Sequence, residues 1–79
     1  MDNSTIMSIF ATNVRRHLEI RSLSIQDLAT ATGINRANMS RILHGHENVT
    51  LQRAERIAEA LDVSLAELVT APRPAAAAV

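Results

Sequence analysis

The chain has 79 residues, no cysteine and a formal net charge of zero, and Phe10 is its only aromatic residue. One small domain of this length must rest on a single aliphatic core, with neither disulfides nor a thiolate metal site to help. No apolar run reaches the roughly 18 residues that span a bilayer, and the N-terminus lacks the basic start and apolar stretch of a secretory leader, so a soluble, cytoplasmic protein is expected.

Met1 to about Ser4 reads as a flexible N-terminus (residues 1–4). Ile6, Ile9, Phe10, Val14 and Leu18 recur at helical spacing and predict a first helix over about 5–21. Its polar face carries Thr12, Asn13, Arg15, Arg16 and Glu19, with His17 partly buried. Ser24, with Asp27 three residues on, forms a capping box that opens a second helix. Leu28 and Ala31 are its inward residues, and Gly33 ends it where positive φ is cheap. Asn35 suits the N-cap of a third helix over about 36–44, anchored by Met39, Ile42 and Leu43 and closed by Gly45. After a polar loop at 46–49, Thr50 caps a fourth helix buried through Leu51, Ala54, Ile57, Ala58 and Leu61. Ser64 and Glu67 form a second capping box that starts a short fifth helix with Leu65 and Leu68 inward. From Ala71 to Val79, Pro-Arg-Pro and a run of alanines have little to bury and read as a disordered tail (71–79). The expected fold is all-α, with five short helices making one compact domain over residues 5–70.

The third helix carries the functional signal. A helix that reads a DNA major groove must lock one face into its domain and offer the opposite face to base edges. Met39, Ile42 and Leu43 provide the anchor, while Arg36, Ala37, Ser40 and Arg41 lie toward the free side. An arginine fork matches the two major-groove acceptors of guanine, a serine bonds several bases, and an alanine methyl can touch thymine. Asn35, Asn38 and His44 sit at the margins, where amides and imidazoles hold phosphates. Gln26, near the free amides opening the second helix, and Asn48, in the loop after the third, are further candidates for the DNA backbone.

All eight strongly basic residues are arginine, and four of them lie between Asn35 and Arg56 against two glutamates. The middle of the chain is thus mildly basic and the stretch beyond it acidic. A neutral total gives little long-range steering, so nonspecific affinity is expected to be modest. His44 and His46 lack a third metal ligand; no nucleophile arrangement or glycine-rich phosphate loop is present, and neither a cofactor nor an enzyme activity is expected.

From Phe10 to Leu68 the chain resembles the lambda-repressor and Cro (XRE) family of helix-turn-helix domains. The likeness rests on Leu23-Ser24, Asp27-Leu28-Ala29, Thr32-Gly33-Ile34, Met39-Ser40-Arg41-Ile42, Gly45, and the run Ile57-Ala58-Glu59-Ala60-Leu61-Asp62-Val63-Ser64. It implies that Asn35 to His44 is the recognition helix, with Arg36, Ala37 and Arg41 at base-reading positions and Asn35 and His44 near the backbone. The chain departs from the pattern at Ile25, where many members carry a phosphate-binding glutamine. It departs also at His17-Leu18, where leucine then arginine is usual, and at Ser22, where glycine is common.

The expected function is a sequence-specific regulator of double-stranded DNA, a repressor acting as a homodimer on a palindromic operator. One domain reads about half a site. Self-association then falls to the domain itself, at the fifth helix and its surroundings, where Leu65, Leu68 and Val69 exceed what a small core needs. The alternative is a protein-interaction module of the same fold, with a protein partner such as a toxin.

Overall fold

The computed structural model describes residues 4–71. The described chain forms five helices: α1 (Ser4–Ile20), α2 (Ile25–Thr32), α3 (Arg36–Leu43), α4 (Leu51–Ala60) and α5 (Leu65–Val69). Among the described residues there is no strand, and no helix is long and apolar enough to cross a membrane. Of the ends that the sequence marks as loose, 1–4 and 71–79, residues 1–3 and 72–79 lie outside the described residues, and Ser4 is the first residue of α1.

The helices α2 to α5 each start at a capping residue. Ser24 and Ser64 accept from the amides of Asp27 and Glu67, whose carboxylates accept in return from the Ser24 and Ser64 amides. Asn35 Oδ1 accepts from the amides of Ala37 at 2.8 Å and Asn38 at 3.3 Å, and Thr50 accepts from Arg53. The amide of Gly33, at φ +74°, bonds back to Ala29 and closes α2.

Three other helices end in one repeated device. At the end of α1 the Leu23 amide bonds the Leu18 carbonyl and the Ser22 amide bonds Glu19. His46 and Gly45 make the same pair of bonds to Arg41 and Ile42 after α3, and Val63 and Asp62 make it to Ala58 and Glu59 after α4. This is the Schellman closure, which needs a left-handed residue at its pivot. Gly45 supplies that pivot at φ +76°; Ser22 and Asp62 supply it at φ +56°, against the steric preference of their Cβ atoms.

The core runs through all five helices: Phe10, Val14 and Leu18 of α1, Leu28 of α2, Met39, Ile42 and Leu43 of α3, Ile57 and Leu61 around α4, and Leu68 of α5. α1 packs on α5 and α3, α2 on α3 and α4, and α4 on α5. Four expectations are corrected. Ala31 is exposed, because the buried arc of α2 is set by Leu28, Ala29 and Thr32. Leu51 is 81% and Ile6 53% exposed among the described residues, each beside the apolar groove rather than in the core. Leu68 is wholly buried, so it belongs to the core and is not surplus apolar surface.

Asn13, placed on the polar face by sequence, is buried instead. Its Nδ2 donates to the carbonyls of Leu68 and Thr70 at 3.0 Å each and of Glu67 at 3.3 Å. Those carbonyls end a five-residue helix too short to hold itself. Asn13 is therefore the latch between α5 and α1.

Replacing Asn13 with alanine is expected to cost about 1–3 kcal/mol in urea unfolding, the penalty for leaving buried carbonyls without a donor. Ser22→Gly is expected to do the opposite. Relief of left-handed strain, less the entropy glycine adds to the unfolded chain, leaves a gain of about 0.5 kcal/mol, or about 2–4 °C in Tm.

Candidate nucleic-acid interface

α3 is divided lengthwise. Met39, Ile42 and Leu43 are completely buried, whereas Arg36, Ala37 and Arg41 are exposed. At about 100° per residue, Arg36, Ala37, Ser40, Arg41 and His44 together span about 140° of arc, opposite the buried stripe. Two placements differ from the sequence expectation. Ser40 is half-buried although it lies within the free arc, and His44 is the C-cap of α3 and not its last turn; Asn38, expected at the margin, is half-buried there.

The other candidates surround this stripe without all joining it. Gln26 is exposed on the first turn of α2, its Nε2 donating to Thr30 Oγ1 at 3.1 Å. Asn35 spends its side-chain oxygen on the two capping bonds, so its amide nitrogen is the group left to reach outward. Asn48 is exposed in the loop after α3. The Ser24 amide and hydroxyl, bonded to Asp27, hold its carboxyl below the ordinary carboxylate range, so the capping box that opens α2 is ionised at neutral pH.

The far end of α3 is held by groups that sequence reasoning left aside. Arg15 of α1, placed on the polar face by sequence, donates from Nη1 to the Leu43 carbonyl at 2.6 Å. It thereby satisfies one of the carbonyls that a helix end leaves open and ties α3 to α1. His44 Nδ1 lies 2.7 Å from the Ser40 carbonyl; a carbonyl only accepts, so Nδ1 carries the proton. The His44 and His46 rings stack with centroids 6.5 Å apart. Arg15, His44, Ser8 and Gly45 line a pocket of about 280 Å³ at this end of the helix.

Glu47 was also missed. Its Oε1 lies 3.4 Å from Nη1 of Arg41, the one salt bridge among the described residues. Sequence did carry a signal: from Leu28 to Ala54 Glu47 is the sole acidic residue. Among the described residues no three of His, Asp and Glu gather as a metal site.

A second feature lies away from this face. Exposed Ile6, Leu51 and Val69 rim an apolar groove of about 160 Å³, floored by Phe10 and Leu65, where α1, α4 and α5 meet.

Residues 13–73 match the family model described as the Cro/C1-type HTH DNA-binding domain. The chain is 35% identical over 65 residues to control protein C.SmaI of Serratia marcescens, a match covering 82% of this chain and 77% of that protein. Among solved structures it resembles the restriction-modification controller protein C.AhdI of Aeromonas hydrophila, at 29% identity and TM-score 0.75, over 78% of this chain and 94% of that one. A hypothetical transcription factor, NHTF, from Neisseria is similar at 25% identity and TM-score 0.82, over 91% of this chain and 84% of that one. An HTH_3 family transcriptional regulator from Vibrio cholerae shares the fold, at 24% identity and TM-score 0.79; the match covers 85% of this chain but 38% of that longer one.

Proposed function

The chain belongs to the Cro/C1-type helix-turn-helix family and is a DNA-binding transcription regulator, not an enzyme, and from that premise we propose that it represses transcription as a cytoplasmic homodimer on a palindromic operator, with α3 in the major groove. The observation that carries this reading is the division of α3, whose buried stripe fixes the helix while its opposite stripe presents Arg36, Ala37, Ser40 and Arg41. In the groove, Arg36 and Arg41 each meet a guanine through a forked pair of hydrogen bonds, Ser40 adds an adaptable bond, and Ala37 contacts a thymine methyl.

Gln26, Asn35, Asn38, His44 and Asn48 hold the sugar-phosphate backbone and set the register. The free amide nitrogen of Asn35 suits a phosphate oxygen, as does the pocket that Arg15 shares with His44. Because His44 Nδ1 is engaged by Ser40, the group it turns to a phosphate is Nε2, which donates only in the imidazolium form. A restriction-modification controller protein is among the similar structures, and control of such genes is part of this proposal.

The dimer rests on the second feature. Two half-sites about one helical turn apart require two copies, and the groove rimmed by Ile6, Leu51 and Val69 is an apolar surface that a second copy can cover. It lies on α1, α4 and α5, so pairing there leaves the free stripe of α3 uncovered.

Selection from a randomised duplex library is expected to enrich an inverted repeat. Arg36→Ala is expected to relax one position in each half-site, at about 1–3 kcal/mol of discrimination, and Arg36→Ala/Arg41→Ala to enrich nothing. If the double variant retains the motif, Arg36 and Arg41 are not the base readers; if wild type enriches nothing, a protein partner takes the place of DNA. For Leu51→Glu, sedimentation is expected to report a monomer and the inverted repeat to be bound more weakly. A dimer that survives Leu51→Glu would remove this groove as the interface.

A further inference from the structure

We propose that Glu47 is a positioning residue that sets the specificity of Arg41, making its guanidinium discriminate against phosphates in favour of a base edge. The inference rests on the reading of Arg41 as a base contact and goes beyond it to a residue outside the recognition helix.

Four observations meet at this pair. Glu47 is the sole carboxylate between Leu28 and Ala54, a stretch that also holds three arginines and two histidines. It stands against one of the base-reading arginines, Oε1 to Nη1 at 3.4 Å. The contact is built by the backbone: Gly45 at φ +76° lets the His46 amide return to the Arg41 carbonyl at 2.9 Å, which turns the next residue, Glu47, back beside its partner. Finally, the Arg41 side chain remains 61% exposed while that of Glu47 is 31% exposed, so the pair leaves the guanidinium open to DNA.

An exposed ion pair contributes little to stability, so its consequence lies in what Arg41 can bind. A phosphate approaching Arg41 must compete with a carboxylate already there, and exchanging one anion for another gains little charge neutralisation. A guanine presents two neutral acceptors. The guanidinium has five N–H groups, Glu47 takes one, and those left suffice for the guanine fork with the carboxylate in place. Glu47 thus weakens the contact every sequence offers and spares the contact one sequence offers.

The test compares binding of the full chain to the duplex that wild type selects from a randomised library and to a scrambled duplex of the same composition, across a salt series. Glu47→Gln keeps the shape and removes the charge. It is expected to tighten binding to the scrambled duplex by about fivefold or more, to tighten the selected duplex less, and to steepen the salt slope on the scrambled duplex by up to about 0.9, one phosphate's worth of released counterion. Glu47→Asp is expected to return the ratio toward wild type. In an Arg41→Ala background the effect of Glu47→Gln is expected to vanish, which a general loss of negative charge would not produce.

Equal shifts on both duplexes, or an undiminished effect without Arg41, would overturn the inference while leaving DNA reading intact. If wild type selects no sequence, or if Arg41→Ala binds the selected duplex as wild type does, the reading of Arg41 and this inference fall together.

Discussion

The burial of Met39, Ile42 and Leu43 is the constraint on which the rest depends. An eight-residue helix has no standing of its own in water. α3 persists because these side chains are fully buried, with α1 and α2 packed against the helix, and because both ends are finished by specific groups: Asn35 at the start, Arg15 and the Schellman closure at the end. A helix fixed this firmly along one side keeps the opposite side in a defined orientation, and hydrogen-bond readout of bases requires that. The groove-facing stripe is therefore a consequence of the core. It is freest of packing where α3 is most firmly held.

The same logic extends to the remote end of the domain. α5 is shorter still, and Asn13 carries its final carbonyls into the α1 face. Since α5 forms one wall of the apolar groove, the latch also shapes the surface proposed for pairing. α1 serves both ends, through Asn13 toward α5 and through Arg15 toward α3. The groove proposed for pairing and the proposed reading helix are thus two attachments to one helix of 17 residues, and a fixed relation between them is what half-site spacing would require.

What sequence conveyed and what it withheld divide along physical lines. Caps are local chemistry, so Ser24 with Asp27, Asn35, Thr50, and Ser64 with Glu67 were all legible, as were the glycines that end α2 and α3. The anchor of α3 was legible because its apolar residues share one arc. Ala31 misled because an i, i+3 step from Leu28 leads off the arc that Ile25, Leu28, Ala29 and Thr32 define. Leu51 misled because it stands at the first position of α4, where among the described residues it is left 81% exposed. Asn13 was hidden by its polarity, although its position beside Phe10 and Val14 put it on the inward side; its carbonyl partners lie more than 50 residues away. Glu47 and Arg15 could not be read from periodicity, since their contacts depend on how a loop and two helices meet.

Net neutrality then becomes a functional property. A strongly basic domain holds any duplex through counterion release, and its specific sites must compete with that background. This chain carries as many acids as bases and uses arginine alone for the latter, so little of its attraction to DNA is indifferent to sequence. On the proposed reading, affinity comes from directional contacts on α3 and from two copies engaging one duplex, where the second contact benefits from the high effective concentration set by the first. Glu47 fits the same balance at the scale of one side chain. A carboxylate beside Arg41 lowers the attraction common to all DNA and preserves the attraction that depends on which base is present.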